Sequence, residues 1–110
     1  MQIEQREQEG KVILKLSGKL DTNTSPEAET YFNQVLEAGH NKILVNFQDL
    51  DYMSSAGLRV LLGTAKQLQG KGAVALCNMN DEVREVLEMT GLADLIFKVF
   101  KSEEEGLIGL

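Results

Sequence analysis

Two adjacent hydroxyls, Ser54 and Ser55, follow the stretch Asp49-Leu50-Asp51-Tyr52-Met53 and precede a helical pattern that begins Ala56-Gly57-Leu58-Arg59. The junction reads as strand, loop, helix. A serine there has two uses. Its oxygen accepts from the unpaired amides of the first helical turn. The same amides, with the helix dipole, also favour a phosphate. The local pattern admits both readings: a capping pair and a modified serine.

Other chemistry finds little support. A serine between strand and helix is the setting of the nucleophile elbow, but that motif needs glycine two places before the serine. Tyr52 and Met53 hold those positions. The single histidine, His40, sits in a Gly-His-Asn turn at the start of a strand. One His and one Cys without ligand spacing make no metal site, and no cofactor is expected. Gly70-Lys71-Gly72 is a tight turn and lacks the P-loop pattern. Met53, Met79 and Met89 read as an adaptable contact surface or as core and rim packing. Cys77 reads as a small buried hydrophobe.

Composition sets the class. With 110 residues the chain reads as one domain, residues 1–110, with a core of its own. The net charge of −6 argues against a nucleic-acid partner. No basic run suits an anionic membrane surface, and no apolar run reaches the length of a span. The start, Met1-Gln2-Ile3-Glu4-Gln5-Arg6, lacks the apolar core of a signal peptide, and a single cysteine forms no internal disulfide. The expectation is a reduced, cytoplasmic protein.

The elements that position the serines follow from apolar spacing. Gln2 to Glu7 and Val12 to Leu16 read as strands around a Glu9-Gly10 hairpin turn. Asp21 to Thr24 is a polar loop. Ser25 as N-cap and Pro26 at the first position open a helix with Ala28, Phe32, Val35 and Leu36 on one face. Ile43 to Phe47 reads as a strand covered on both faces. Leu58, Leu61, Leu62, Ala65 and Leu68 line the helix after the serines. Ala73 to Cys77 is a further strand. Asn80 caps a third helix with Val83, Val86 and Leu87 inside, and Thr90-Gly91-Leu92 stops it, Leu92 folding back on Leu87. Ile96 to Phe100 is a last strand, and a short helix ends the chain. Alternation of strand and helix requires right-handed crossovers. The fold class is α/β: a mixed, mainly parallel sheet of about five strands with three to four helices.

Gly18-Lys19-Leu20-Asp21, Tyr52-Met53-Ser54-Ser55-Ala56-Gly57-Leu58 and Leu87-Glu88-Met89-Thr90-Gly91-Leu92, in that order, resemble the STAS domain and more narrowly the bacterial anti-sigma factor antagonists. The resemblance covers nearly the whole chain. It implies that the unphosphorylated protein binds an anti-sigma factor with GHKL-type serine kinase activity and frees a sigma factor. Phosphorylation of a loop serine switches the antagonist off, and a PP2C-type phosphatase restores it. In the family the target serine stands two places before the glycine, which here is Ser55, with Ser54 as second candidate. Ser54 stands where many members carry aspartate. Asp21 matches an acid lying near the site in the family, or is simply a turn residue. Arg59, one helical turn beyond Ser55, reaches toward a phosphate there or is a solvated arginine. Asp21, Met53, Ser54, Ser55, Ala56, Gly57 and Arg59 are the expected partner surface.

STAS domains also serve as regulatory modules of stress-signalling and transport-associated complexes, which is the alternative. A small serine-dependent enzyme is a poorer one. A domain filling these 110 residues and carrying two loop serines favours the free-standing antagonist.

Overall fold

The computed structural model describes residues 1–91 and 93–110, with side chains described for 1–91 and 95–110. Its centre is a sheet of order β1-β2-β3-β4-β5. The strands are β1 (Gln2–Gln8), β2 (Lys11–Leu20), β3 (Lys42–Met53), β4 (Ala73–Cys77) and β5 (Lys98–Phe100). The helices are α1 (Ser25–Glu37), α2 (Ser55–Leu68), α3 (Asp81–Glu88), the single turn α4 (Ala93–Ile96) and α5 (Glu103–Gly109). β1 joins β2 antiparallel through Glu9 and Gly10, both at positive φ (54° and 78°). That is the backbone twist a two-residue hairpin loop demands. The other pairings are parallel. Ile43–Phe47 and Ala73–Cys77 thus lie in neighbouring parallel strands in the sheet interior.

One sheet face carries the main core. Val12, Leu14, Leu16, Ile43, Val45, Phe47, Val74 and Leu76 meet Ala28, Phe32 and Val35 of α1, Leu58, Leu61 and Leu68 of α2, and Val83 and Leu87 of α3. The opposite face presents Ile13, Leu44, Ala75 and Cys77 to Leu107 of α5. Both faces of β3 are therefore covered, and its burial is unbroken from Ile43 to Phe47. The stripe on α2 is broader than its leucine spacing suggests. Val60 and Thr64 are also buried, whereas Leu62 and Ala65 are half-buried at its flank.

Several boundaries differ from expectation. β3 runs on to Met53 and β2 to Leu20, with register shifts at Lys15/Ser17 and Gly18/Lys19. Such bulges break the two-residue alternation by which a strand is recognised; Phe47, Leu50 and Met53 all point inward, three residues apart. Thr24, not Ser25, is the N-cap of α1, and it makes no side-chain capping bond. Ser25 is the first helical residue, and its hydroxyl donates instead to the Asp21 carbonyl. Ile96 ends the turn α4 and does not begin β5. The expected packing of Leu92 on Leu87 lies outside the described residues. The hydroxyl of Thr90 donates to the Leu87 carbonyl at 3.0 Å, closing α3.

α2 approaches the end of β2 unusually closely. A Cβ on Gly57 would stand 2.6 Å from Leu20 Cγ and 2.8 Å from the Leu20 carbonyl oxygen. Gly63, in the same helix, has open space. The pair makes a controlled experiment. Gly57→Ala should destabilise by ~1–3 kcal/mol, because overpacking against fixed backbone outweighs the gain in helix propensity. Gly63→Ala should stabilise by up to ~1 kcal/mol. Urea denaturation followed by circular dichroism reads both; equal effects at the two positions would refute the close approach.

Candidate functional site

The two serines divide their tasks. Ser54, with φ −94° and ψ 173°, is the N-cap of α2, and its Oγ accepts from the Gly57 N–H at 3.4 Å. Its carbonyl accepts from Leu58 N–H at 3.0 Å, the first helical bond. Ser55 is the first residue of the helix and is exposed. Among the described residues its hydroxyl has no partner. The cap is therefore satisfied without Ser55. Where the antagonist pattern carries aspartate, Ser54 fills the same cap, since serine and aspartate are about equally good there. What the exchange removes is a carboxylate beside the Ser55 hydroxyl.

Two contacts fix this junction to β2. Ser54 N–H donates to the Leu20 carbonyl at 2.9 Å, and Gly57 lies against Leu20. Asp21, the next residue, is thereby brought beside the serines. Its Oδ1 accepts from the amides of Asn23 (2.9 Å) and Thr24 (3.1 Å) and from the Thr24 hydroxyl (3.3 Å). Its backbone carbonyl takes the amide of Ser25 at 2.8 Å. The hydrogen bond from the Thr24 amide outweighs an opposing desolvation and, helped by the Asn23 amide, the Thr24 hydroxyl and Lys19, holds the Asp21 carboxyl below the usual carboxylate range. Asp21 is thus a turn organiser placed next to the junction; both readings of it meet in one residue. On the other side, the Asn80 amide donates to the Leu50 carbonyl at 3.1 Å while its Oδ1 caps α3 through Val83 N–H at 2.8 Å.

The remaining expected surface residues separate by depth. Met53 is 1% exposed and belongs to the core, and Gly57 is buried. In this conformation both lie beneath the loop rather than on the exposed surface where they were expected. Ala56 is half-buried. Arg59 is exposed, and among the described residues it stands outside the ion pairs. Tyr52 was missed. It is 44% exposed, a large apolar ring just before the serines. Its signal was available: if Met53 points inward from an extended strand, Tyr52 points outward.

Other candidates lie elsewhere. His40 Nε2 pairs with Glu7 at 3.0 Å, at the start of β3, whereas the serines follow its far end. Cys77 is fully buried. Burial, then the charge of Glu103, push its thiol up to about 12. Met79 packs partly buried against the main core, and Met89 is exposed. Among the described residues no group of three His, Cys, Asp or Glu is placed to hold a metal, and no helix is long and apolar enough to cross a membrane.

Several known proteins similar to this chain carry the name anti-sigma factor antagonist. The chain is 32% identical over 112 residues to the anti-sigma F factor antagonist of Paenibacillus polymyxa, covering 100% of this chain and 95% of that one. It is 34% identical over 84 residues to the anti-sigma-B factor antagonist of Staphylococcus aureus, covering 76% and 78%. In fold it matches the Bacillus cell fate determinant SpoIIAA in its phosphorylated form, with TM-score 0.75 and 23% identity over 97% of both chains. The unphosphorylated form of SpoIIAA gives TM-score 0.74 and 21% identity over 97% of this chain and 94% of that one. The STAS domain model matches residues 2–106, and the chain belongs to the STAS domain family.

Proposed function

We propose that this protein is an anti-sigma factor antagonist controlled by phosphorylation of Ser55. In this reading the unphosphorylated protein binds an anti-sigma factor with GHKL-type serine kinase activity and so releases a sigma factor. Phosphorylation ends the binding, and a PP2C-type phosphatase restores it. The antagonist names of the relatives support the first half. The observation that carries the second is the division between the serines. Ser54 caps α2, and Ser55 offers an exposed hydroxyl that the fold does not use.

The physics of the switch follows from that position. A phosphate carries about −1.5 to −2 charge at neutral pH. At the N-terminus of α2, one turn from Arg59, that charge meets the positive end of the helix dipole. Little refolding is needed. SpoIIAA, which has the same fold, keeps it in both forms. Control lies at the partner interface, where the phosphate adds bulk and charge to a closely docked loop. Burying it without a matching cation costs several kcal/mol, and ~4 kcal/mol weakens binding about a thousandfold. Asp21, Ser54, Ser55, Ala56, Arg59 and the added Tyr52 form the docking surface; Met53 and Gly57 hold it in shape.

Incubation with the cognate kinase and ATP, read by mass spectrometry, tests the assignment. Ser55→Ala should abolish labelling and Ser54→Ala should leave most of it. The reverse would move the acceptor by one residue, and labelling of neither wild-type serine would sink the proposal. Ser55→Asp should keep its circular dichroism spectrum yet lose the anti-sigma factor in a pull-down. Ser55→Ala should bind and resist inactivation.

The loop makes a pH prediction as well. Because the folded Asp21 carboxyl titrates below its unfolded value, its contribution is present above the ordinary aspartate range and is lost as pH falls through the folded pKa. Amide exchange at Asn23 and Thr24, corrected for intrinsic rates, should quicken over that acidic window. In Asp21→Asn the window should vanish; a persistent window would assign the titration to another group.

A further inference from the structure

The two covers of the sheet are unequal. One face is closed by α1, α2 and α3, with most of the large buried side chains. Among the described residues the other has α5 over Ile13, Leu44, Ala75 and Cys77. α5 is a weak helix in its own right. Seven residues is too few for an isolated helix to persist in water, and two of them are glycine, the poorest helix former after proline.

Those glycines serve closeness. A Cβ at Gly106 would stand 2.7 Å from Leu44 Cδ1, and one at Gly109 2.5 Å from the Phe100 ring. α5 is therefore helical because it is docked. Leu107 fills the apolar strip. The Glu103 carboxylate takes the Arg6 guanidinium on one oxygen and, on the other, the amide of Asn46 at 2.8 Å. The Lys11 ammonium donates to the Leu107 carbonyl. Ser102 caps the helix through Glu105 N–H at 3.2 Å. Asn46 is only 4% exposed, so its amide depends on Glu103 while α5 is down and on water once it is up. An intermediate position satisfies neither.

We propose that α5 is a detachable clasp, lifting from the sheet as a unit ahead of global unfolding and uncovering Cys77 while the face carrying α1, α2 and the serine junction stays folded. Local opening of this kind is expected where few apolar groups hold an element that cannot stand alone. The proposal is independent of the phosphorylation reading, since it concerns the opposite face.

Cys77 reports the opening, because its thiol is fully buried with α5 in place. The full-length protein is treated with a thiol-specific chromogenic disulfide in native buffer. Glu103→Ala removes the latch, and Gly106→Ala improves helix propensity but drives α5 off Leu44. Each should speed labelling of Cys77 by ~tenfold or more. Leu61→Ala, which weakens the main core, should leave the native-buffer rate within about twofold. Labelling that follows global stability in all three variants would overturn the clasp, as would Gly106→Ala slowing the reaction. Hydrogen exchange of the wild type needs no variant to fold. Amides of Leu107 to Leu110 should exchange ~tenfold or more faster than those of Ile43 to Phe47, and equal protection refutes the proposal.

Discussion

The contact between the first turn of α2 and the end of β2 is the constraint on which the site depends. Backbone and side chain of Leu20 are involved at once: its carbonyl accepts from Ser54 N–H, and its side chain and carbonyl leave no room for a Cβ at position 57. The hydrogen bond fixes where the helix begins. The missing side chain fixes how near it comes. Together they place Asp21, the residue after Leu20, beside the serines although more than thirty residues separate them in sequence. The glycine of the motif is therefore a packing requirement. The leucine after it, Leu58, is 6% exposed and anchors the same turn to the core.

From that anchoring comes the separation of structural and chemical roles. A helix start needs one good acceptor, and Ser54 provides it. If the cap and the reactive hydroxyl were one group, any modification would also alter the helix terminus. In the proposed switch the modification falls one residue later, on a side chain that contributes nothing to the cap. The fold is insulated from the charge, while the surface is not. Tyr52 and Arg59, both exposed, lie within four residues of Ser55 in the sequence, so under the proposed function an aromatic residue and a cation accompany the serine at the docking junction.

Much of this was legible in the sequence because its signals are local. The runs Ile43–Phe47 and Ala73–Cys77 are too apolar to be anything but interior strands, and the Asn80 and Glu9-Gly10 signals name their own geometry. What escaped was set by distant parts of the chain. The extension of β3 to Met53 depends on bulges in its pairing with β2, and polar residues at Gln48, Asp49 and Asp51 hide it. Met53 reads from the sequence either as contact surface or as core packing, and the spacing alone does not choose between them. Its burial follows only once the strand is known to continue. Ser25 lost the capping position because the Asp21 carbonyl was available to its hydroxyl and its amide, a matter of loop shape that composition cannot convey.

The acidic balance of the chain bears on how such a switch operates. With a net charge of −6, an added phosphate meets a molecule already negative, and Asp21 and Asp51 belong to the same end of the sheet. Long-range repulsion between exposed charges is screened over a Debye length of ~8 Å at physiological salt. What remains is short-range: the first-turn amides, the helix dipole and Arg59 against the new charge. In the proposed switch these hold a phosphate in solvent without disturbing α2. They are not enough to repay its removal from water, because each is already partly satisfied or solvated before a partner arrives. A charge that is comfortable at the surface and costly at an interface changes affinity while leaving structure alone. The placement of Ser55 at the exposed head of a separately capped helix meets that condition.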